Sequence, residues 1–264
     1  MSAKELIKKL YFHKKLPKAA PYKTSYYNKD WGFSVTKEMF KKIKSSNSKY
    51  QVKIDSAFKK SNLLYGEILL KGKSNKEILI STYIHHPSVA NYNPSGIILT
   101  SYLAKFIKSL KNRYWSYRII FKPETIGAVG YRNLKEKKIK NIDFRLFVSD
   151  VDGKEKFGYK KSFDDQHFLN NLILNISKEL RMNPKTYSFD VNRSDERQYY
   201  PQFFRINICS IFRDKYYEFK EYHLSNNNLD FVKAENIFKT LIIYQKLIEK
   251  IESQYIFKTI NSKC

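Results

Sequence analysis

The sequence predicts an α/β fold, a three-layer sandwich with a mixed, mainly parallel central sheet. Three observations carry this. Apolar runs of strand length at 77–84, 116–122 and 143–149 alternate with helical periodicity at about 95–111, 126–138 and 164–182. Such alternation means crossover units, with helices on both faces of the sheet. Each of the three strands then ends in a polar cluster: His85-His86, Lys122-Pro123-Glu124, and Ser149-Asp150 with Asp152. At 264 residues the chain is long enough for one large core, and a single domain spanning 1–264 is the simplest account.

The elements follow in order. Residues 3–12 carry apolar positions at helical spacing and read as a short amphipathic helix. An aromatic loop from Pro21 to Phe33 fits neither period, so its rings pack on the domain or line a cleft. Helix returns at about 36–46 with Thr36 as N-cap before Lys37-Glu38. Runs 49–58 and 63–71 read as an antiparallel strand pair leading into strand 77–84, the first alternating apolar and polar residues as a half-solvated strand does. After 164–182, residues 185–200 read mostly as loop, 206–212 as a strand and 217–229 as a loop carrying His223. A long helix at about 230–256 closes the chain, with Ile237, Leu241, Ile242, Leu247 and Ile251 forming its apolar stripe.

Composition bounds the partners and the compartment. Lys+Arg number 50 against 25 Asp+Glu, a net charge of +25. The lysines are spread along nearly every segment, which reads as a solvated surface; a nucleic-acid groove, or an anionic glycan or membrane contact, is the alternative, and nucleic-acid binding predicts affinity that falls steeply with salt. Cys209 and Cys264 are too few for a disulfide scaffold and lie in no zinc-knuckle spacing. No N-terminal segment has the apolar core of a signal peptide, and no run approaches the ~18–20 apolar residues of a membrane span. A cytoplasmic protein without a membrane span is the expectation.

His86, Glu124, Asp150 and His223 fall at strand ends or in the loops beyond them, where ligands bind in open α/β sheets. Neutral imidazole and carboxylate are good zinc ligands, so the four make a candidate metal site. Each also has a plain structural reading as a hydrogen-bonded strand-end residue or a turn former. Glu124 stands at a strand-to-helix corner, placed either to take a proton in metal-assisted hydrolysis or to stabilise a helix N-terminus. The cluster Ser194-Asp195-Glu196-Arg197-Gln198 is dense enough in charge to surround a substrate's polar end, and an exposed loop is the other reading. The sequence contains no Gly-rich phosphate loop, no G-x-S-x-G elbow and no H-E-x-x-H helix.

Six ordered stretches carry a resemblance: 21–33 (PYKTSYYNKDWGF), 78–96 (ILISTYIHHPSVANYNPSG), 121–127 (FKPETIG), 148–150 (VSD), 194–198 (SDERQ) and 221–232 (EYHLSNNNLDFV). Together they resemble the aminopeptidase-like family of zinc-peptidase fold, whose members often accompany bacterial surface-polysaccharide biosynthesis genes. The resemblance implies a phosphorylase/hydrolase-like sandwich related to zinc exopeptidases with two co-catalytic metals. It matches His86 and His223 to histidine ligands, Asp150 to a carboxylate ligand and Glu124 to the general base. It also implies longer relatives, with a further domain before 21–33 and often a winged-helix-like C-terminal module, and the expectation is that both are absent here.

Departures from the pattern bear on the chemistry. Zinc exopeptidases carry an aspartate bridging both metals where this chain has Tyr92, and a second glutamate, a ligand, where it has Thr125. The closing His-Thr-Ser-x-Asp is here His223-Leu224-Ser225-Asn226-Asn227. The expectation is at most one zinc, held by some of His86, Asp150 and His223, with a metal-free cleft as the alternative. The substrate is expected to be a peptide or small amide-containing molecule contacted by Tyr92, Asp195, Glu196 and Arg197. Two readings stand beside each other: an aminopeptidase-like hydrolase with reduced or lost activity, and a non-catalytic binding protein using the old cleft, with Tyr92 and the 22–33 aromatics as contacts.

Overall fold

The chain runs α1 (Ala3–Leu6), a 3-10 turn (Ile7–Lys9), β1 (Leu10–Tyr11), β2 (Phe33–Ser34), α2 (Lys37–Lys44), β3 (Gly66–Leu70), β4 (Glu77–Tyr83), α3 (Gly96–Ser109) and β5 (Ser116–Lys122). It continues through α4 (Ile126–Leu134), α5 (Glu136–Ile139), β6 (Ile142–Val148), β7 (Gly158–Lys160), α6 (Phe168–Glu179), β8 (Lys185–Tyr187), α7 (Glu196–Tyr199), β9 (Asn207–Phe212) and α8 (Ala234–Asn261). This computed structural model describes all residues except 26–27, 87, 155–156, 191–194, 200–204 and 262–264, and the side chains of 255–261. Tyr26, Tyr27, Pro87, Ser194 and Cys264 of the sequence analysis therefore lie outside the described residues.

Seven strands form one sheet in the order β3-β5-β4-β6-β9-β7-β8. The four central strands β5, β4, β6 and β9 are mutually parallel, while β3 and β7 run antiparallel to β5 and β9. The expected mixed, mainly parallel sheet is thus observed.

The reason is visible in β4, where all seven residues are buried. A strand covered on both faces has no side turned to solvent, which is why Ile78, Leu79 and Ile80 follow one another without polar alternation and why Glu77, Ser81 and Thr82 are buried as well. Its alternation divides the core. Ile78 and Ile80 point to the face covered by α3, α6 and α8, where they meet Leu103, Ile173 and Leu247. Leu79 and Tyr83 point to the other face, against Ala128 and Tyr131 of α4 and Ile139 of α5.

The two faces differ in chemistry. That of α3, α6 and α8 is apolar, whereas that of α4 also buries Arg118, Lys122 and Arg145. Arg118 Nη2 donates to Glu77 Oε1 at 2.7 Å, so the Arg118 charge is paired within the sheet, and Tyr131 of α4 donates to Glu67 Oε2 at 2.9 Å.

Several expectations are corrected. Residues 49–58 form no strand: their backbone pairing is confined to a bridge between Lys49 and Ser2 and the adjoining hydrogen bonds of Tyr50 with Met1, and Ile54 and Phe58 are exposed. The alternating pattern is real, but no layer covers it, and β3 pairs with β5 instead. The helix expected over 3–12 is one capped turn, with Ser2 and Glu5 capping reciprocally, before the chain extends at Leu10. The helix over 126–138 breaks at Lys135 into α4 and α5. The stretch 185–200 contains β8 and α7. Thr36 does cap α2, accepting from the Met39 N–H at 3.1 Å. Among the described residues no helix is long and apolar enough to cross a membrane.

Leu103 on α3 is fully buried between the sheet and α8. Leu103→Ala is therefore expected to destabilise the protein by about 2–5 kcal/mol, read from the urea midpoint at unchanged slope.

Candidate active site

Parallel strands bring their C-terminal ends to one edge; here the chain turns sharply just after β4, β5 and β6, and again at His223 in the loop after β9. His86, Thr125, Asp150 and His223 have φ of 52°, 54°, 51° and 55°. Left-handed backbone is unfavourable for residues with a Cβ and tends to mark functional corners. Successive side chains on a strand point oppositely, but β4 has ended at Tyr83, and the turn at His86 brings His85 and His86 side by side, ring centroids 3.8 Å apart.

The imidazoles collect around Tyr92. The His86 and His223 rings are 4.7 Å apart; Tyr22 lies edge-on to both at 4.4 and 5.4 Å, and Tyr222 stacks on His223 at 4.0 Å. Tyr92 is buried, 5.1 Å from both His85 and His86 and 5.5 Å from His223. Its hydroxyl donates to Glu124 Oε1 at 3.0 Å, while His85 Nε2 approaches Glu124 Oε2 at 2.9 Å.

Electrostatics give each group a definite state. Burial alone would raise the Glu124 carboxyl, but His85 and the Tyr92 hydroxyl outweigh it and hold the group below its ordinary value, so it is ionised at neutral pH. Burial, with His85 and His223 nearby, pushes His86 down to about 3. Burial, opposed by Glu124 and reinforced by His85, takes His223 to about 4. Both imidazoles are therefore neutral, with lone pairs free to ligate. Asp150 is buried and, with Ser149 donating to its Oδ2 at 2.8 Å, its carboxyl is still pushed well above the usual range by desolvation.

These residues fit a divalent cation. His86 Nδ1, His223 Nε2 and Asp150 Oδ1 are buried and have no hydrogen-bond partner among the described residues, and such orphaned atoms need an explanation. Within ligand-group distance, however, the structure brings together His85, His86 and Glu124, whose ligand atoms all lie within 4.8 Å of one another. His223 adjoins His86, and Asp150 lies outside that group. His85 is thus a site residue that the sequence analysis set aside in favour of His86; the only signal for it was the doublet itself.

The 195–197 cluster is split. Asp195 and Glu196 are buried rather than in an exposed loop, and Arg197 is exposed. Asp195 Oδ1 accepts the Thr125 N–H at 2.7 Å, its Oδ2 is in direct contact with Lys122 Nζ, and Arg145 Nη2 lies 3.5 Å away. Glu196 pairs with Lys160 at 2.9 Å and accepts from Ser210 at 3.3 Å. Both carboxylates are engaged by internal cations, so they build the wall of the site.

The Asn-x-x-x-Ser-Gly that opens α3 also has a structural account. Asn91 accepts from the Asp152 N–H at 3.0 Å and from Ser95 Oγ at 2.9 Å, tying the loop after β4 to that after β6. Asn93 donates to Thr82 at 2.6 Å, and a Cβ on Gly96 would stand 2.3 Å from Asn93 Oδ1, so only glycine lets the helix start this close.

A family model described as "Domain of unknown function (DUF4910)" matches residues 16–254. The chain belongs to the DUF4910 family. Over 244 residues, 92% of this DUF4910 chain, it is 33% identical to a Clostridium acetobutylicum protein whose name proposes a polysaccharide-biosynthesis role and an aminopeptidase-like domain. The chain spans only 55% of that relative's length. A crystal structure from C. acetobutylicum, titled as that of a proposed peptidase, superposes with a TM-score of 0.91 at 32% identity, covering 96% of this chain and 59% of that one. The zinc aminopeptidase BSAP of Bacillus subtilis superposes with a TM-score of 0.58 at 15% identity, covering 71% of this chain and 49% of its own. The aminopeptidase of Aneurinibacillus sp. strain AM-1 gives 0.59 at 19% identity, covering 69% and 46%. The fold is that of the zinc aminopeptidases.

Removing Asp195 would leave Lys122 and Arg145 buried without their carboxylate. Asp195→Ala is expected to cost about 3–5 kcal/mol in denaturant unfolding. Arg197→Ala, at an exposed position, should stay within about 0.5 kcal/mol of wild type.

Proposed function

We propose that this DUF4910 chain is an aminopeptidase-like hydrolase acting on a peptide or amide bond of a small substrate, with one zinc ion and reduced activity, in the service of surface-polysaccharide biosynthesis. The observation that carries the reading is Glu124: an ionised carboxylate at a strand-to-helix corner, beside two neutral imidazoles with orphaned nitrogens. The aminopeptidase fold and the name of the C. acetobutylicum relative support it. A buried free thiol at Cys209 agrees with a cytoplasmic setting.

His86, Asp150 and His223 would hold the ion, which supplies Lewis acidity toward a carbonyl when bound. Glu124 accepts a proton from the attacking nucleophile and returns it to the leaving amine. Tyr92 and His85 fix the carboxylate from both sides, which orients the base. The same contacts stabilise its charged form, and a carboxylate so stabilised is a weaker base, which supports the reading of reduced activity. Tyr92 also stands where zinc exopeptidases have their bridging aspartate, so a second ion lacks its shared ligand.

The aromatic rim of Tyr22, Tyr92 and Tyr222 favours a second reading, a binding cleft without turnover.

Protein purified without chelator is expected to contain one zinc per chain and to release p-nitroaniline slowly from aminoacyl p-nitroanilides. Glu124→Gln should lower kcat/KM by about 10²-fold or more. Equal rates for wild type and Glu124→Gln would remove the hydrolase and leave the binding cleft.

A further inference from the structure

His85 has no ligand role in the mechanism above, yet it is placed as the metal-facing residues are. Its side chain is 17% exposed, and its Nδ1 is buried with no hydrogen-bond partner among the described residues. Its ring lies against His86, and its Nε2 side meets Glu124 Oε2 at 2.9 Å. Around a tetrahedral zinc ion with bonds of about 2.0–2.1 Å, ligand atoms stand roughly 3.3 Å apart. The ligand atoms of His85 and His86 lie within 4.8 Å of each other, so a small side-chain rotation brings the two imidazoles to that spacing. Neighbouring strand residues do not ordinarily share a site; the left-handed turn at His86 is what lets this pair do so.

We propose that His85 is a ligand of the cation in this chain, supplying the donor that Tyr92 took away. Glu124 then acts as its outer partner, in the carboxylate–histidine–metal arrangement that orients ligating imidazoles. One imidazole nitrogen faces the ion while the other side of the ring stays against Glu124 Oε2. The neutral donor keeps the coordination number up where the bridging carboxylate is lost, and the resulting site holds one ion with more nitrogen and less negative charge. This rests on the reading of the cleft as a cation site.

The test measures metal binding rather than turnover. Apo protein is titrated with zinc in a chelator competition, and separately with cobalt(II), whose visible absorption reports ligand number and type. Wild type is expected to bind one equivalent. His85→Ala should weaken zinc at least tenfold and change the cobalt spectrum, and His85→Gln, which keeps bulk without the imidazole, should do the same while melting like wild type. If both variants bind zinc within twofold of wild type with an unchanged cobalt spectrum, His85 is not a ligand, although the cleft still holds a metal. If wild type binds neither ion at micromolar concentration, the metal reading of the cleft falls and this inference with it.

Discussion

The contact between Asp195 and Lys122 is the joint on which the site hangs. One carboxylate engages the last residue of β5 and the backbone N–H of Thr125, and it lies near Arg145 of β6. Glu124 sits between the first two of these, so its position follows from theirs. Burying an ion pair costs desolvation that its Coulombic gain barely repays, and a pair of apolar residues would often hold a fold as well. What apolar residues do not supply is direction. A carboxylate accepting along two defined axes sets the strand-to-helix corner in one geometry, and Glu124 is carried on that corner.

Around this joint the sheet is built with unequal faces. The α3, α6 and α8 side is a conventional apolar core, while the α4 side threads arginine and lysine through the strands and meets them with Glu67, Glu77, Asp195 and the Ser81 hydroxyl. The polar side leads to the edge that carries the candidate site. Tyr92 belongs to the same pattern, a neutral donor placed against a carboxylate where a second carboxylate would be expected by resemblance. The outcome is a cleft with one carboxylate fewer than the resemblance implies.

Much of the architecture was legible because periodicity and burial coincide. Strand 116–122 matches β5, and β4 and β6 end where their polar clusters begin. The corners carrying His86, Glu124 and Asp150 were legible for the same reason: an apolar run that stops near a titratable residue marks a strand end, whereas His223 stands in the loop after β9 and was read by resemblance. What escaped was whatever depends on a partner elsewhere. Residues 49–58 alternate like a strand but have no layer to bury them. Lys185–Tyr187 is too short for a period yet pairs with β7. Asp195 and Glu196 look like loop charges until Lys122 and Lys160 are found beneath them. His85 looks redundant beside His86 because spacing does not reveal a left-handed turn.

Those turns carry one more consequence. A residue with a Cβ held in the left-handed region costs of order 1–3 kcal/mol, and glycine at the same point would not. The protein places His86, Thr125, Asp150 and His223 at four such points around one edge. A chain free to drift toward stability would replace them with glycine one at a time and lose nothing of its sheet. That they are histidine, threonine and aspartate instead makes this edge a place where the fold is kept less stable than it need be, for the sake of the side chains it carries.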